Sequence, residues 1–392
     1  MERSFFISIL FIATISVIGC YRVYGFIINP QRILNLDFYS SEGLILNPPY
    51  DKGSLQNVEM GQVTLRTAAY PQYVPGQYIK FSGKILHNVI YYPKISELPE
   101  KSNRWLLLIS MFRVGVINRL RKVLPEPAYS LVLGTILGYK SNWPESYRSA
   151  FISSGTTHVI VASGYNVSIL IAIWSFFAIR FGYRFYIFGS LILILGFIFM
   201  TGIDPPIVRA SIMGIINVYA LIRGEYKVSL YILVFVALVM LAFNPSFILD
   251  IGFQLSFTAT FIIILLAPYV NFLRPLASQV MLVVFINLAI LPIVSYYFGQ
   301  VSLFSIVANL LVLWVVPVIT VGGILLALFP NVILQVIVIA LSDYFFIIQD
   351  YFSQFEFAVI QYRLSLVGVV IYYVIFSLVL KFLLRYLNEK SD

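Results

Sequence analysis

The 392-residue sequence predicts a polytopic α-helical membrane protein of about ten spans with a small all-β domain outside the membrane. Hydrophobic residues make up 60% of the chain and charged residues 11%, whereas a soluble domain averages about 45–50% apolar and about 25% charged residues. Apolar stretches of about 18 to 25 residues, long enough to cross a bilayer, recur along the chain. This composition excludes a soluble enzyme.

The chain is poor in metal-binding and redox-active side chains, with one Cys and two His in all. These numbers exclude a disulfide framework, a thiolate zinc site and a cluster of several histidines within this polypeptide. We therefore predict no metal site and no cofactor, and we name no catalytic residue.

Residues 1–28 are the first predicted element, an N-terminal anchor helix. An apolar run extends from Phe5 to Ile28 and is interrupted only by Arg22 and small polar residues. Such a run is typical of a cleaved signal or of a retained anchor, and we predict that this one is retained.

Residues 29–100 are rich in Pro and Gly and contain short alternating stretches such as Tyr78–Ser82, which predict half-exposed strands bounded by turns. About 70 residues of this kind favour a small OB-like barrel. The region carries six basic and six acidic residues, so its charge is balanced. Tyr78 and Phe81 are candidates for stacking on bases, and the alternative is that such rings form the core or face the membrane.

Residues 101–157 hold the basic surplus of the chain. Between residues 101 and 148 there are eight basic and two acidic side chains, interleaved with apolar ones at helical spacing. This pattern predicts a basic amphipathic segment that is interfacial or re-entrant, either as an anchor in the membrane surface or as a cationic collar for a polyanion. The DNA-binding candidates of this segment are Arg113, Arg119, Arg121 and Lys122.

Residues 158–392 form a predicted transmembrane domain of alternating apolar runs and polar breaks. If the first run leads from outside to inside, the basic breaks fall in the cytoplasm, as the positive-inside rule requires. Both termini are then cytoplasmic, the β domain is outside, and residues 101–157 make no net crossing. The predicted spans are 158–179, 185–201, 207–222, 228–243, 250–268, 277–298, 303–329, 331–349 and 366–385.

The stretch from Phe151 to Asn166 combines small and hydroxyl residues with two glycines at the edge of a span, which predicts a broken helix. Irregular backbone at membrane depth lines a cavity or is packed in protein. The candidates for lining or gating a pore are His158, Ser163, Gly164 and Asn166. Structural packing is the main alternative, and intramembrane hydrolysis by His158 with Ser163 is a remote one.

Five further polar residues in or beside spans are candidates for a pore. Arg209 within a predicted span needs a partner, for which Asp204 and Asp250 are candidates, and it is predicted to face an aqueous cavity together with Gln254. Asp250 also suits a helix cap. The other two candidates are Ser256 and Asn309, and Asn309 with Pro317 marks a predicted kink.

The order of these motifs resembles the ComEC family of competence DNA-uptake channels over nearly the whole chain. The stretch from His158 to Gly164 is similar to the broken-helix signature of the family, and Gly252–Phe257 is similar to its second signature. Further points of resemblance are Pro75–Gly83, Arg209 with Ala210, and Leu291 with Pro292. Where many members have a second His, this chain has Asn166.

The resemblance implies a channel that conducts single-stranded DNA across the bacterial cytoplasmic membrane, with the OB-like domain receiving the strand. It also implies other DNA-uptake proteins and a separately encoded nuclease as partners, besides the lipid bilayer. Many members add a metallo-β-lactamase-like domain. This chain ends at Asp392 without the His-Asp cluster of that domain, so we expect no nuclease activity.

Single-stranded DNA transport is therefore the predicted function. The alternative is a transporter or membrane scaffold for a substrate that is not nucleic acid, and the balanced charge of residues 29–100 is its best support.

Overall fold

The computed structural model describes residues 39–52, 55–60, 63–86, 89–139, 141–157, 160, 164–202, 205–222, 230–270 and 275–391. The predicted anchor helix of residues 1–28 lies outside these residues, as do His158, Ser163 and Asp204.

Residues 39–97 form a β region made of two sheets. One sheet has the antiparallel order β1-β5-β8, and the other has the order β2-β3-β4-β7-β6, in which β4 and β7 are parallel. The strands are β1 (Tyr39–Leu44), β2 (Tyr50–Lys52), β3 (Leu55–Met60), β4 (Val63–Ala68), β5 (Tyr78–Gly83), β6 (Ile85–Leu86), β7 (Val89–Tyr91) and β8 (Lys94–Glu97).

Alternation along the strands builds the core of the β region. In β5, Ile79 and Phe81 are buried whereas Lys80 between them is exposed, because successive side chains of a strand point to opposite faces. Strands of both sheets contribute to one apolar cluster, whose buried members are Ile45, Val58, Val63, Leu65, Tyr73, Ile79, Phe81, Ile85 and Ile90.

The remainder of the described chain is mostly helical, as the composition predicts. Two short strands, β9 (Val301–Ser302) and β10 (Val359–Ile360), pair between the helices. The helices are α1 (Arg104–Val123), α2 (Ala128–Leu137), α3 (Glu145–Ser154), α4 (Gly164–Ala178), α5 (Tyr183–Thr201), α6 (Pro205–Ile222), α7 (Leu230–Phe243), α8 (Ile251–Val270), α9 (Pro275–Phe298), α10 (Ser305–Val312), α11 (Val315–Leu328), α12 (Val332–Ser353) and α13 (Leu366–Ser391).

Each of the nine apolar runs predicted after residue 158 contains a helix. Among the described residues, four helices are long and apolar enough to cross a membrane, or five if α10 and α11 are one span. These two helices meet at a bend of 41°, within the run where Asn309 and Pro317 predict a kink. The shorter apolar helices include α2, α4, α6, α7 and α8.

The largest apolar core of the helical part surrounds α2. Nearly every side chain of this helix is buried, including Leu131, Val132 and Leu133. Residues of α3, α11 and α12 pack on it, among them Phe151, Ile319 and Phe345. The apolar segment that is too short to span a bilayer is therefore enclosed by other helices.

Candidate functional site

Arg209 on α6 is the cation around which the candidate site is built. Its Nε donates to Ser256 Oγ, and its Nη1 donates to Thr260 Oγ1 at 2.6 Å. Both acceptors lie on α8, four residues apart and hence on one face of that helix. The guanidinium carbon also lies 5.9 Å from the centre of the Phe257 ring. Arg209 is therefore held by hydroxyl groups and an aromatic face.

Gly164 brings the start of α4 against this cation. A Cβ placed on Gly164 would lie 2.8 Å from Arg209 Nη2 and 2.9 Å from the Cβ of Ala210. Only a residue without a side chain fits here without displacing the guanidinium. The helix that begins at Gly164 thus closes one side of the site, and three helices meet at Arg209.

Asp250, predicted as a possible partner of Arg209, serves a different purpose. Its Oδ1 accepts a hydrogen bond from the backbone N–H of Phe253 at 2.7 Å, so it caps the start of α8. Within the described part of the chain, no ion pair joins Arg209 to Asp250. Pairing of Arg209 with Asp250 is therefore wrong.

Gln254 does not share the space of Arg209, contrary to the sequence-based expectation. Its Nε2 donates to the carbonyl of Ile248 at 2.8 Å and to Tyr297 Oη at 2.9 Å. Because two residues correspond to about 200° of rotation on a helix, Gln254 and Ser256 lie on opposite faces of α8. Of these two residues, Ser256 faces Arg209 and Gln254 connects α8 to α9.

The chain between α3 and α4 is irregular where it is described, in agreement with a broken helix. The carbonyl oxygen of Ile160 rests on α2 so closely that a Cβ on Gly134 would lie 2.1 Å from it. Asn166, 1% exposed, donates to the carbonyl of Thr135 at 2.8 Å. Its Oδ1 is buried without a partner in the described part of the chain.

Two further buried polar groups lie within the helical part. Asn309 Nδ2 donates to Asn287 Oδ1 at 3.4 Å, and its own Oδ1 is buried and unpartnered among the described residues. Gln349 Oε1 accepts hydrogen bonds from Ser154 Oγ and from Thr156 Oγ1, the latter at 2.8 Å. Hydroxyl and amide groups therefore recur in the buried interior of the helical part, where each needs a protein or water partner.

Sequence reasoning missed Thr260 and the Gln349 contacts. The spacing of Ser256 and Thr260 could have indicated a shared helix face. An amide within a largely apolar helix, as Gln349 is, could have indicated a buried polar contact.

In the β region the two aromatic candidates differ. Phe81 is 3% exposed and belongs to the core, so its ring is not available for stacking on a base. Tyr78 is half-buried, with Lys101 Nζ 5.3 Å from its ring centre and Glu42 Oε1 accepting from its hydroxyl at 3.4 Å. Tyr78 therefore belongs to a polar surface cluster.

This cluster makes a pH-dependent contribution to stability. The hydrogen bond from Lys101 Nζ to Glu42 Oε1, 2.8 Å long, lowers the pKa of Glu42 below its ordinary value of 4.5. Since the folded-state pKa is the lower one, the contribution is complete above pH 4.5 and is lost as the pH falls through the folded-state value. Glu42→Gln should therefore slightly lower the melting temperature near neutral pH and leave it unchanged in strong acid. Thermal melts of the purified protein check this, with exposed Glu100→Gln as the control.

The four cations predicted to bind DNA have different surroundings. Arg113 is buried and donates to the carbonyl of Met200, so it is not a surface cation. Arg119 is exposed and donates to the carbonyl of Ala327 at 3.2 Å. Arg121 and Lys122 are exposed at the end of α1.

No group of three His, Cys, Asp or Glu side chains within the described ranges could hold a metal ion.

Comparison with known proteins supplies the context of this site. The model of a family described as "Competence protein" matches residues 135–386. The chain is 26% identical over 280 residues to ComE operon protein 3 of Bacillus subtilis (strain 168), which covers 70% of this chain and 34% of that protein. It is 30% identical over 176 residues to an uncharacterized protein of Aquifex aeolicus (strain VF5), which covers 44% of this chain and 40% of that protein. The alignments thus span between a third and two fifths of these relatives. No solved structure matches.

Proposed function

The chain belongs to the competence protein family and is a helical membrane protein, and we propose that it conducts single-stranded DNA across the bacterial cytoplasmic membrane. The observation that best supports this function is the environment of Arg209. Its guanidinium lies among helices that include short apolar ones, and hydroxyl groups hold it. A cation held in this way remains available to a passing phosphate, because hydroxyls do not neutralise its charge.

The proposed path runs where α4, α6 and α8 meet. Gly164 places backbone beside Arg209, and Ser256 and Thr260 fix the guanidinium in position. Guanidinium groups bind phosphate through two parallel N–H bonds, and Arg209 has N–H groups beyond the two that its hydroxyl partners occupy. Ser163 directly precedes Gly164 in the chain and His158 lies six residues before it, and both stay pore candidates in the proposal.

We propose about ten spans in all and an OB-like fold for the β region. The parallel pairing of β4 with β7 and the single core shared by both sheets support a small, partly closed barrel. The β region lies outside the cell and both termini lie in the cytoplasm. Support for this orientation comes from the basic residues that follow α4 and from those in the C-terminal part of α13, in keeping with the positive-inside rule.

The proposed partners are single-stranded DNA, the bilayer, other DNA-uptake proteins and a nuclease encoded separately. We assign no catalytic step to this chain. One Cys and two His in the entire sequence are fewer ligands than a histidine-rich metal centre uses.

A transporter or scaffold for a substrate other than nucleic acid is the second candidate. Burial of Phe81 and Arg113 favours it, because both side chains are thereby removed from a DNA-binding surface. The balanced charge of residues 29–100 also favours a substrate other than nucleic acid.

Uptake of labelled DNA into vesicles distinguishes the two functions. Vesicles that contain the purified protein, with an inside-positive potential to draw in a polyanion, should accumulate single-stranded oligonucleotide and exclude duplex DNA of equal length. Protein-free vesicles should accumulate neither. Equal uptake with and without the protein would contradict DNA conduction and leave the second candidate.

A further inference from the structure

Asp343 places a carboxylate at the centre of a candidate membrane span. All 22 residues of α12 belong to that span, and Asp343 is the twelfth of them. Its side chain is exposed, and within the described part of the chain no hydrogen bond or ion pair involves it. An ionisable group at this depth is costly in lipid and normally faces protein or water. Asp343 therefore needs a partner from outside this part of the chain.

The neighbours of Asp343 on the outer face of α12 are apolar. Val336, Ala340 and Ile347 follow Asp343 at the helical spacing of three to four residues, and all three are exposed. Ala340 is small, which lets a second helix approach closely. We call Val336, Ala340, Asp343 and Ile347 the α12 stripe. Lipid tails would cover its apolar members but would offer the carboxylate no hydrogen-bond donor.

Helix α13 carries an outward stripe with the opposite charge. The members of this α13 stripe are Val370, Val374, Ser377 and Lys381, which follow the same helical spacing and are all exposed. Lys381 lies inside the apolar window Leu366–Arg385, which is the least buried of the four candidate spans. Among the described residues, none forms a hydrogen bond or an ion pair with the Lys381 side chain. The chain therefore exposes a carboxylate and an ammonium group on two different spans.

The two stripes lie on separate parts of one molecule. Tyr344 of α12 donates to the carbonyl of Leu311 in α10 at 3.2 Å. Tyr372 of α13 donates to the carbonyl of Leu288 in α9 at 2.9 Å. Helices α9 and α10 contact each other, so both lie between α12 and α13. The carboxylate and the ammonium group are therefore too far apart to pair within one chain.

The two charges nevertheless lie at similar depths. Phe304 packs on Phe352 near the end of α12, with 5.0 Å between ring centres, and β9 just before Phe304 pairs with β10 just before α13. The end of α12 and the start of α13 thus lie on the same side, and the helices run in opposite directions. At about 1.5 Å per residue, Lys381 lies about 8 Å past the centre of its span. Because helical side chains lean toward the N-terminus of their helix, Asp343 and Lys381 lean toward each other in depth.

We propose that the chain self-associates in the membrane through these stripes, with Asp343 of one copy paired to Lys381 of a second copy. Ser377 of the second copy lies about level with the carboxylate and has a hydroxyl group to donate, and Ala340 leaves room for the lysine stem. A second copy fits better than an unrelated protein, because this chain itself carries the complementary charge at a matching depth. The proposal does not depend on the proposed function.

Cysteine crosslinking tests which helices meet. In full-length protein with Cys20→Ser, membranes that contain Ala340→Cys/Ser377→Cys should yield covalently linked copies on mild oxidation, because these positions lie at about the same depth on facing stripes. Ala340→Cys alone and Ser377→Cys alone should yield far fewer. Equal crosslinking of a single variant, or none with the double variant, would overturn the pairing of α12 with α13.

Exchange of the two charges tests the ion pair. Energy transfer between copies that carry donor or acceptor fluorescent tags measures self-association in liposomes over a range of protein-to-lipid ratios. Asp343→Lys and Lys381→Asp should each weaken it by about tenfold, because like charges then face each other. Asp343→Lys/Lys381→Asp should restore it. Asp350→Asn removes an exposed charge near the end of α12 and should associate like the wild type.

The wild-type measurement is decisive even if a variant does not fold. Energy transfer at the level of chance encounters at every protein-to-lipid ratio would overturn the proposal and leave lipid or another protein as the neighbour of α12. A folded double variant that does not regain association would exclude the ion pair. Equal weakening by Asp350→Asn and Asp343→Lys would also contradict the pair, because the effect would then follow net charge.

Discussion

Replacing Arg209 by Gln should reduce the uptake of single-stranded DNA by about 10- to 100-fold, while the protein stays folded and inserted in the membrane. A hydrogen bond to a charged group is worth about 1.5–3 kcal/mol, and about 1.4 kcal/mol corresponds to a factor of ten. Gln can still bond to the hydroxyls of Ser256 and Thr260 that hold Arg209, so the loss concerns the charge. Uptake into vesicles at equal protein content measures the effect.

Two variants serve as controls for this prediction. Arg209→Lys keeps the positive charge but loses the bidentate geometry of the guanidinium. Its DNA uptake should lie between that of the wild type and that of Arg209→Gln. Arg180→Gln removes an exposed charge after α4 and should leave uptake unchanged. A sharp drop in the melting temperature of Arg209→Gln would instead identify Arg209 as a structural residue, and unchanged uptake would exclude it from the path.

Adding one methyl group at Gly134 should destabilise the protein by about 1–3 kcal/mol, as overpacking of a filled core does. A Cβ there would lie 2.1 Å from the carbonyl oxygen of Ile160. Because the obstacle is backbone, no side-chain rotation relieves the contact, and α2 must separate from the irregular segment before α4. Thermal unfolding of purified Gly134→Ala should show a lower melting temperature, and DNA uptake should fall with it.

Gly115→Ala is the matched control, since Gly115 is also a helical glycine and its Cβ would meet nothing within 4 Å. Alanine favours a helix over glycine by about 0.5–1 kcal/mol, so this variant should be as stable as the wild type or slightly more stable. If Gly134→Ala were as stable as Gly115→Ala, the close packing of residue 160 on α2 would be refuted.

The helical runs and the broken segment before α4 could be predicted because both leave a local signature, namely hydropathy and small residues at the edge of a span. Burial of Phe81 could also be predicted from the sequence, since Phe81 lies two residues from Ile79 and hence on the same face of β5. The contacts of Arg209 could not be predicted, because α6 and α8 meet only in the folded chain. The prediction that Gln254 lies beside Arg209 was wrong for a simpler reason, because Gln254 and Ser256 lie on opposite faces of α8.

The course of α1 was also hidden from the sequence. Its charges lower the hydropathy below that of a span, and its neighbours belong to helices about 200 residues away, at Ala327 and Gln335. Charge density alone favours an interfacial helix, whereas contacts attach its first half to the β region and its end to α11 and α12.

Photo-crosslinking of a stalled DNA strand tests the central claim most directly. A single-stranded oligonucleotide with a bulky group on its trailing end would halt in transit, with a photoreactive nucleotide placed at successive distances from that group. At intermediate distances, peptides from α4, α6 and α8 that contain Gly164, Arg209 or Ser256 should carry the crosslink. Crosslinks confined at every distance to the β region, or to outward-facing residues of α13, would contradict passage of DNA beside Arg209.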